Sequence, residues 1–157
     1  MRKMVRSTLE EHRQVVANMA ALESEIALSG ELCGKARALT AIVLTADTSV
    51  LTAIGNDYGY DEVFSRQVAG LCRKGDVLIA ISTSRNSENV RTAVEAAHGA
   101  GASIIGLSGK SGGALGTKCD IALKVPADVI ARIQEINILI GHVICALVEE
   151  HLDIGAG

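Results

Sequence analysis

From Val5 to about Ile26 the apolar residues Val5, Leu9, Val16, Met19, Ala20, Leu22 and Ile26 recur at threes and fours, with charged residues mostly between them. That is the period of an amphipathic helix, and its apolar stripe must be buried against its own domain or a neighbouring subunit. The pattern then changes. Ala41-Ile42-Val43-Leu44 is a short continuous apolar run and predicts a buried strand. Asn56-Asp57-Tyr58-Gly59-Tyr60 is dense in turn formers, and Asp61 can cap a helix that runs to about Leu71 and closes at Lys74-Gly75. Val77-Leu78-Ile79-Ala80-Ile81 predicts the clearest strand, buried on both faces. A Ser/Thr loop follows, then a helix capped by Asn86 or Ser87, running to about His98 and stopped by Gly99 to Gly101. Ser103-Ile104-Ile105-Gly106-Leu107 predicts another strand, Ser108-Gly109-Lys110-Ser111-Gly112-Gly113 a second loop before a short helix, and Ile121-Ala122-Leu123-Lys124-Val125 a further strand. Pro126 separates that strand from a long last helix, about Asp128 to Leu152. Strand–loop–helix units repeated in this way predict an α/β fold, a three-layer α/β/α doubly wound parallel sheet, with ligands beyond the carboxyl ends of the strands.

Composition fits that fold. The 157 residues are 48% hydrophobic but only 2% aromatic, with 16 Gly and no Trp, so Ala, Val, Ile and Leu must fill one core. A net charge of -3 offers no basic surplus for nucleic-acid phosphates, and no nucleic-acid partner is expected. Cys33, Cys72, Cys119 and Cys145 form no CxxC pair and sit in apolar stretches, so buried free thiols are expected. Met1-Arg2-Lys3 leads into a charged amphipathic stretch, and no uninterrupted apolar run approaches the roughly 18–20 residues that span a bilayer. No membrane partner and a cytoplasmic location are the corresponding expectations.

Four hydroxyls lie within six residues in Ser82-Thr83-Ser84-Arg85-Asn86-Ser87, between a strand and a helix start. Helix amino termini carry unsatisfied N–H groups and partial positive charge, and hydroxyl donors beside them complete an anion cradle without lysine. A Ser-rich turn with an N-cap is the plainer reading of the same residues. Lys110 in the second loop does not complete GxxxxGK[ST], so a P-loop is excluded.

Beyond these loops, Thr48-Ser49-Val50-Leu51-Thr52-Ala53-Ile54-Gly55-Asn56-Asp57-Tyr58-Gly59-Tyr60, Phe64-Ser65-Arg66-Gln67-Val68, Gly75-Asp76-Val77-Leu78-Ile79, Ser82-Thr83-Ser84 and Arg132-Ile133-Gln134-Glu135 closely resemble the phosphoheptose isomerases. These are sedoheptulose 7-phosphate isomerases of the sugar isomerase (SIS) fold, and the match runs in order from about Leu28 to Leu152. The resemblance implies conversion of sedoheptulose 7-phosphate to D-glycero-D-manno-heptose 7-phosphate, on the way to ADP-heptose. Ser82, Thr83, Ser84 and Ser87 match phosphate-contacting positions, and Asn56, Asp57 and Gln134 match substrate-binding ones. Glu31 and His142 match the catalytic pair, while Glu31, Gln134 and His142 match three ligands of a zinc ion. The resemblance also implies a homotetramer with sites shared between subunits.

The implied chemistry suits those residues. Aldose–ketose isomerisation through an enediol needs one base for a carbon proton and one group that moves protons between oxygens, and zinc would polarise the carbonyl. Without the resemblance Glu31 reads as a solvated helix carboxylate, and His142, among Ile140, Val143 and Ile144, as a hydrogen-bonded core histidine. Gln134 and His142 are about 12 Å apart along an ideal helix, a long reach to a common ion. His98 and His151 suit helix carboxyl ends, and His12 is expected at the surface.

Four departures stand out. Ala27 runs straight into Leu28, where the resemblance calls for a strand and a glycine-rich loop of the form CGNGGSAADAQH, about 30 residues in all. A parallel sheet cannot lose an early strand without exposing core, so the intact protein is expected to carry that segment, skipped here as disordered in a crystal. Arg85 stands where a Gly is usual, Ile130 where a Thr is, and Asn137 where a His is. The alternative function is a non-catalytic SIS-domain protein that binds a replication initiator or senses sugar phosphates.

Overall fold

The computed structural model describes residues 2–35, 40–84 and 86–153. Among these residues six α-helices and three strands follow in the order α1 (Arg2–Ala17), α2 (Glu23–Lys35), α3 (Thr48–Tyr58), α4 (Ser65–Leu71), β1 (Val77–Ser82), α5 (Glu88–Ala100), β2 (Ser103–Gly109), β3 (Ile121–Val125) and α6 (Ile130–His151). The strands are parallel and sequential: Ile79 pairs with Ile105, and Ile105 with Ile121. Gly101 ends α5 in the left-handed region at φ 79°, which lets the chain turn into β2.

Helices cover both faces of the sheet, giving three layers. On one face Ile105 and Leu107 of β2 and Ile121, Leu123 and Val125 of β3 pack against Ile133, Ile136, Ile140 and Ile144 of α6, with Leu22 and Ile26. On the other, Ala80 and Ile104 pack against Val68 of α4 and Ala93, Val94 and Ala97 of α5. Each large aliphatic side chain so buried contributes ~1.5–3 kcal/mol.

Two segments depart from their sequence patterns. Ala41–Leu44 is not a strand, and Ile42 and Val43 are 59% and 66% exposed. A strand needs a neighbour for its backbone N–H and C=O groups, and among the described residues no strand lies beside it. β1, predicted to be buried on both faces, is an edge strand. Ala80 and Ser82 are buried, but Ile79 and Ile81 on the opposite face are 44% and 53% exposed.

The predicted first helix is interrupted by a 3-10 turn at Asn18–Leu22, and α2 then runs unbroken across Ala27–Leu28. Asp61 does not cap α4; it lies in a 3-10 turn at Tyr60–Glu62, and Phe64 precedes α4 without a side-chain cap. α3 is an added helix, capped by Asp47, whose Oδ1 accepts from Val50 N at 3.0 Å. By length and composition α6 is apolar enough to cross a membrane, and its buried isoleucines account for one side of that apolarity. All four cysteines are free, three of them half-buried and Cys145 exposed, which corrects the expectation of four buried thiols.

Candidate functional site

The carboxyl edge of the sheet brings the first loop together as a cluster. Ser82, 5% exposed, ends β1, and Ser87 precedes α5. Ser82 Oγ lies 3.0 Å from Ser87 Oγ and 3.3 Å from Ser84 Oγ, and Ser84 Oγ lies 2.8 Å from Ser87 Oγ. The three hydroxyls thus form a ring, each with one hydrogen to give. Ser87 makes no side-chain bond to the first turn of α5, so its hydroxyl serves the ring and not the helix cap. The amino end of α5 and the ring therefore form one surface rich in donors, suited to phosphate. Glu88, acidic in that turn, is ion-paired with Arg91, which offsets its repulsion of an anion. Thr83 is half-buried in the same loop; Arg85 lies outside the described residues. Asn86 Oδ1 accepts from Ala114 N at 3.3 Å and ties this loop to the second one.

Asn56 and Asp57 lie at the end of α3, exposed, with Asn56 Nδ2 donating to Asp57 Oδ1 at 3.0 Å. The turn that follows is held to the first half of α5, where Thr92 Oγ1 donates to Asp61 O at 2.7 Å. Both polar residues are thereby kept on the side of the sheet that carries α5. A cavity of about 370 Å³ lies elsewhere, lined by Ile42, Val43, Ile54, Arg66 and Leu71 among others. Its lining comes from residues 42–43 together with α3 and α4 and includes none of the ring hydroxyls.

Gln134 and His142 are exposed on α6, and Glu31 is exposed on α2. His142 is therefore no core histidine. The two helices pack closely: a Cβ on Gly30 would lie 2.7 Å from Leu147 Cβ, and one on Gly34 2.6 Å from His151 Cδ2. Both contacts advance together along the chain, so α2 and α6 run parallel. In that register Glu31 is level with Val148, and His142 lies about 9 Å back along the axis. Among the described residues no three His, Cys, Asp or Glu side chains gather to hold a metal. Glu31, Gln134 and His142 supply two such groups and an amide, spread along the helices, whereas zinc takes three or four converging donors. As arranged here they do not fit zinc.

His12 is not a simple surface residue. Its Nδ1 lies 2.6 Å from Glu135 Oε2, and Glu135 Oε1 is ion-paired with Arg132 at 2.8 Å. The Arg132/Glu135 spacing of three was a readable helical ion pair, but the tie to α1 spans more than a hundred residues and left no local signal. His98 and His151 sit in the last turns of α5 and α6, and His98 Nε2 contacts Lys118 O at 2.7 Å. Burial pushes the Cys119 thiol up to about 11, and burial with Cys145 nearby raises that of Cys33.

A family model described as the SIS domain matches residues 16–109. A phosphoheptose isomerase from a Nitratiruptor species is 54% identical over 127 residues, covering 78% of this chain and 68% of that protein. The chain belongs to the phosphoheptose isomerase family. A Campylobacter concisus phosphoheptose isomerase is 46% identical over 154 residues, covering 94% of the chain and 82% of the relative. The structure of a phosphoheptose isomerase from Francisella tularensis superposes with a TM-score of 0.89 at 35% identity, covering 94% of this chain and 97% of that one. The chain spans 66% of the Rhodospirillum rubrum relative, close to its share of the Nitratiruptor one. The fold is thus a SIS fold.

Proposed function

We propose that this family member is an aldose–ketose isomerase that converts sedoheptulose 7-phosphate to D-glycero-D-manno-heptose 7-phosphate, in a pathway towards ADP-heptose. The observation that carries the reading is the Ser82–Ser84–Ser87 ring at the amino end of α5, in a chain whose relatives are named phosphoheptose isomerases. The 7-phosphate accepts hydrogen bonds from the ring, Thr83 and the first-turn amides. Asn56, Asp57 and Gln134 take sugar hydroxyls, fixing the chain so that its C1–C2 end is presented to the base.

Once level with His142, Glu31 removes a proton from C1 while His142 gives one to the C2 oxygen, forming the enediol. Glu31 then returns its proton to C2 as His142 takes the proton from O1, leaving the aldehyde and both groups in their starting states. The family resemblance also implies zinc, but no step is routed through it, because the residues as arranged do not converge on an ion. A homotetramer in the cytoplasm completes the reading. It is supported by apolar side chains left exposed on two helices, Met4, Val5 and Leu9 on α1 and Ile138, Leu139 and Val143 on α6. Names at 46–54% identity weigh against the initiator-binding or sensing alternative.

The test is to incubate the full-length protein with sedoheptulose 7-phosphate and assay heptose 7-phosphate. Glu31→Gln and His142→Gln should abolish turnover in folded protein; activity that survives both changes would refute these roles.

A further inference from the structure

We propose that Arg132, Glu135 and His12 form a clasp that positions the first turns of α6, and with them Gln134, for the isomerisation; the proposal rests on the isomerase reading above. Arg132 is only 7% exposed. Its guanidinium contacts Glu135 Oε1 at 2.8 Å, donates to Thr8 O at 3.0 Å, and has Nε 4.0 Å from Glu11 Oε2. Glu135 turns its second oxygen to His12. Glu135 thus ties α6 to His12 of α1, and Arg132, on the same helix as Glu135, reaches α1 at Thr8 O.

A buried guanidinium is a costly way to attach one helix to another, since apolar packing of similar volume does so with no desolvation penalty. Directional bonds add what apolar packing lacks, a fixed rotation and a fixed axial position. Gln134 stands between Ile133, which is buried in the core, and Glu135 in the clasp. α6 begins just beyond the carboxyl end of β3, and Lys110 N donates to Ala127 O at 3.3 Å, joining this connection to the loop after β2. The clasped turns therefore lie at the same edge of the sheet as the serine ring. Turning α6 by about 20° would swing a side chain on its outer face by roughly 2 Å, and misplacement of this size costs on the order of 100-fold in rate. Glu135 is a positioning residue: it acts through Gln134 and touches no substrate.

The test uses the full-length protein. Glu135→Gln and His12→Ala are each expected to lower kcat at least about tenfold, with the affinity for inorganic phosphate held within about twofold, because the serine ring is untouched. His12→Gln, which can still donate to Glu135, should recover most of kcat. Hydrogen exchange should quicken in residues 130–138 of Glu135→Gln and not in the second half of α6. Wild-type kcat in Glu135→Gln with only a lower melting temperature would overturn the proposal, as would unchanged exchange at 130–138. If the wild-type protein turns over no heptose phosphate, the isomerase reading fails, and the exchange measurement still decides the clasp.

Discussion

Replacing Ser87 by alanine separates two roles that one residue at a helix start usually combines. Loss of an N-cap serine ordinarily costs about 1 kcal/mol of stability. Here the hydroxyl makes no cap bond; its partners are Ser82 Oγ at 3.0 Å and Ser84 Oγ at 2.8 Å. Ser82 and Ser84 remain within 3.3 Å of each other after the change, so neither is orphaned. The expected loss of stability is therefore that of one neutral hydrogen bond, about 0.5–1.5 kcal/mol. Against a bound phosphate the same hydroxyl makes a bond to a charged group, worth about 1.5–3 kcal/mol. Dissociation constants should then rise by roughly 10- to 150-fold. Calorimetric titration with sedoheptulose 7-phosphate and with inorganic phosphate reads the second quantity, and urea unfolding followed by circular dichroism the first. Binding weakened less than about threefold for both ligands would refute the phosphate role of the ring. A stability loss well above 1.5 kcal/mol would show that the hydroxyl caps α5 after all.

Four further outcomes can be checked. Gly30→Val drives a branched side chain into Leu147, where a Cβ alone would stand 2.7 Å away, and should destabilise the fold by about 1–3 kcal/mol in urea unfolding; an unchanged midpoint would contradict the close α2–α6 contact. Burial, with Asp120 second, raises the Cys119 thiol from 9.0 to about 11, so the folded state holds this proton more tightly than the unfolded one. The stability so gained is complete below pH 9 and lost as pH rises through about 11, and wild type should lose ground to Cys119→Ala across that window; a flat difference would refute the burial. Ile81→Lys on the open face of β1 should change the stability of the 157-residue chain by no more than about 0.5 kcal/mol and reduce its self-association by light scattering. After incubation with zinc and desalting, elemental analysis of that chain should find well under one ion per molecule, while a full equivalent would show that Glu31, Gln134 and His142 converge.

What could be read in the sequence is what contiguous residues determine. β1, its hydroxyl loop and α5 are one uninterrupted stretch, and the apolar run, the serines and the helix start each specify their element without help from elsewhere. β2, β3 and α6 emerge within a few residues of their expected bounds for the same reason. Ala41–Leu44 has a strand's composition yet forms none, because strand formation depends on a neighbour that local pattern cannot supply. The pattern of β1 predicts burial on both faces, yet Ile79 and Ile81 on one face of this edge strand are exposed, because local pattern does not show which face a helix will cover. His12 was illegible for the opposite reason: its partner Glu135 lies far along the chain, and only tertiary packing joins them.

The two halves of the proposed site differ in the same way. The proposed phosphate half is local: Ser82, Ser84, Ser87 and the start of α5 follow one another in the chain. The acid–base half depends on how α2 lies against α6, and that depends on Ala27–Leu28, where α2 now runs straight through. A strand and loop of about 30 residues at this junction would break α2 there, since a helix cannot continue through a strand. Glu31 would then begin a helix anchored to the sheet edge and not to α1, free to take another register on α6. A shift of about 9 Å towards the amino end of α6 would bring it level with His142. The same strand would supply the neighbour that Ala41–Leu44 and β1 both lack. With that segment in the intact protein, the open sheet edge and the separation of Glu31 from His142 would have one cause, and a chain that carries it is expected to correct both together.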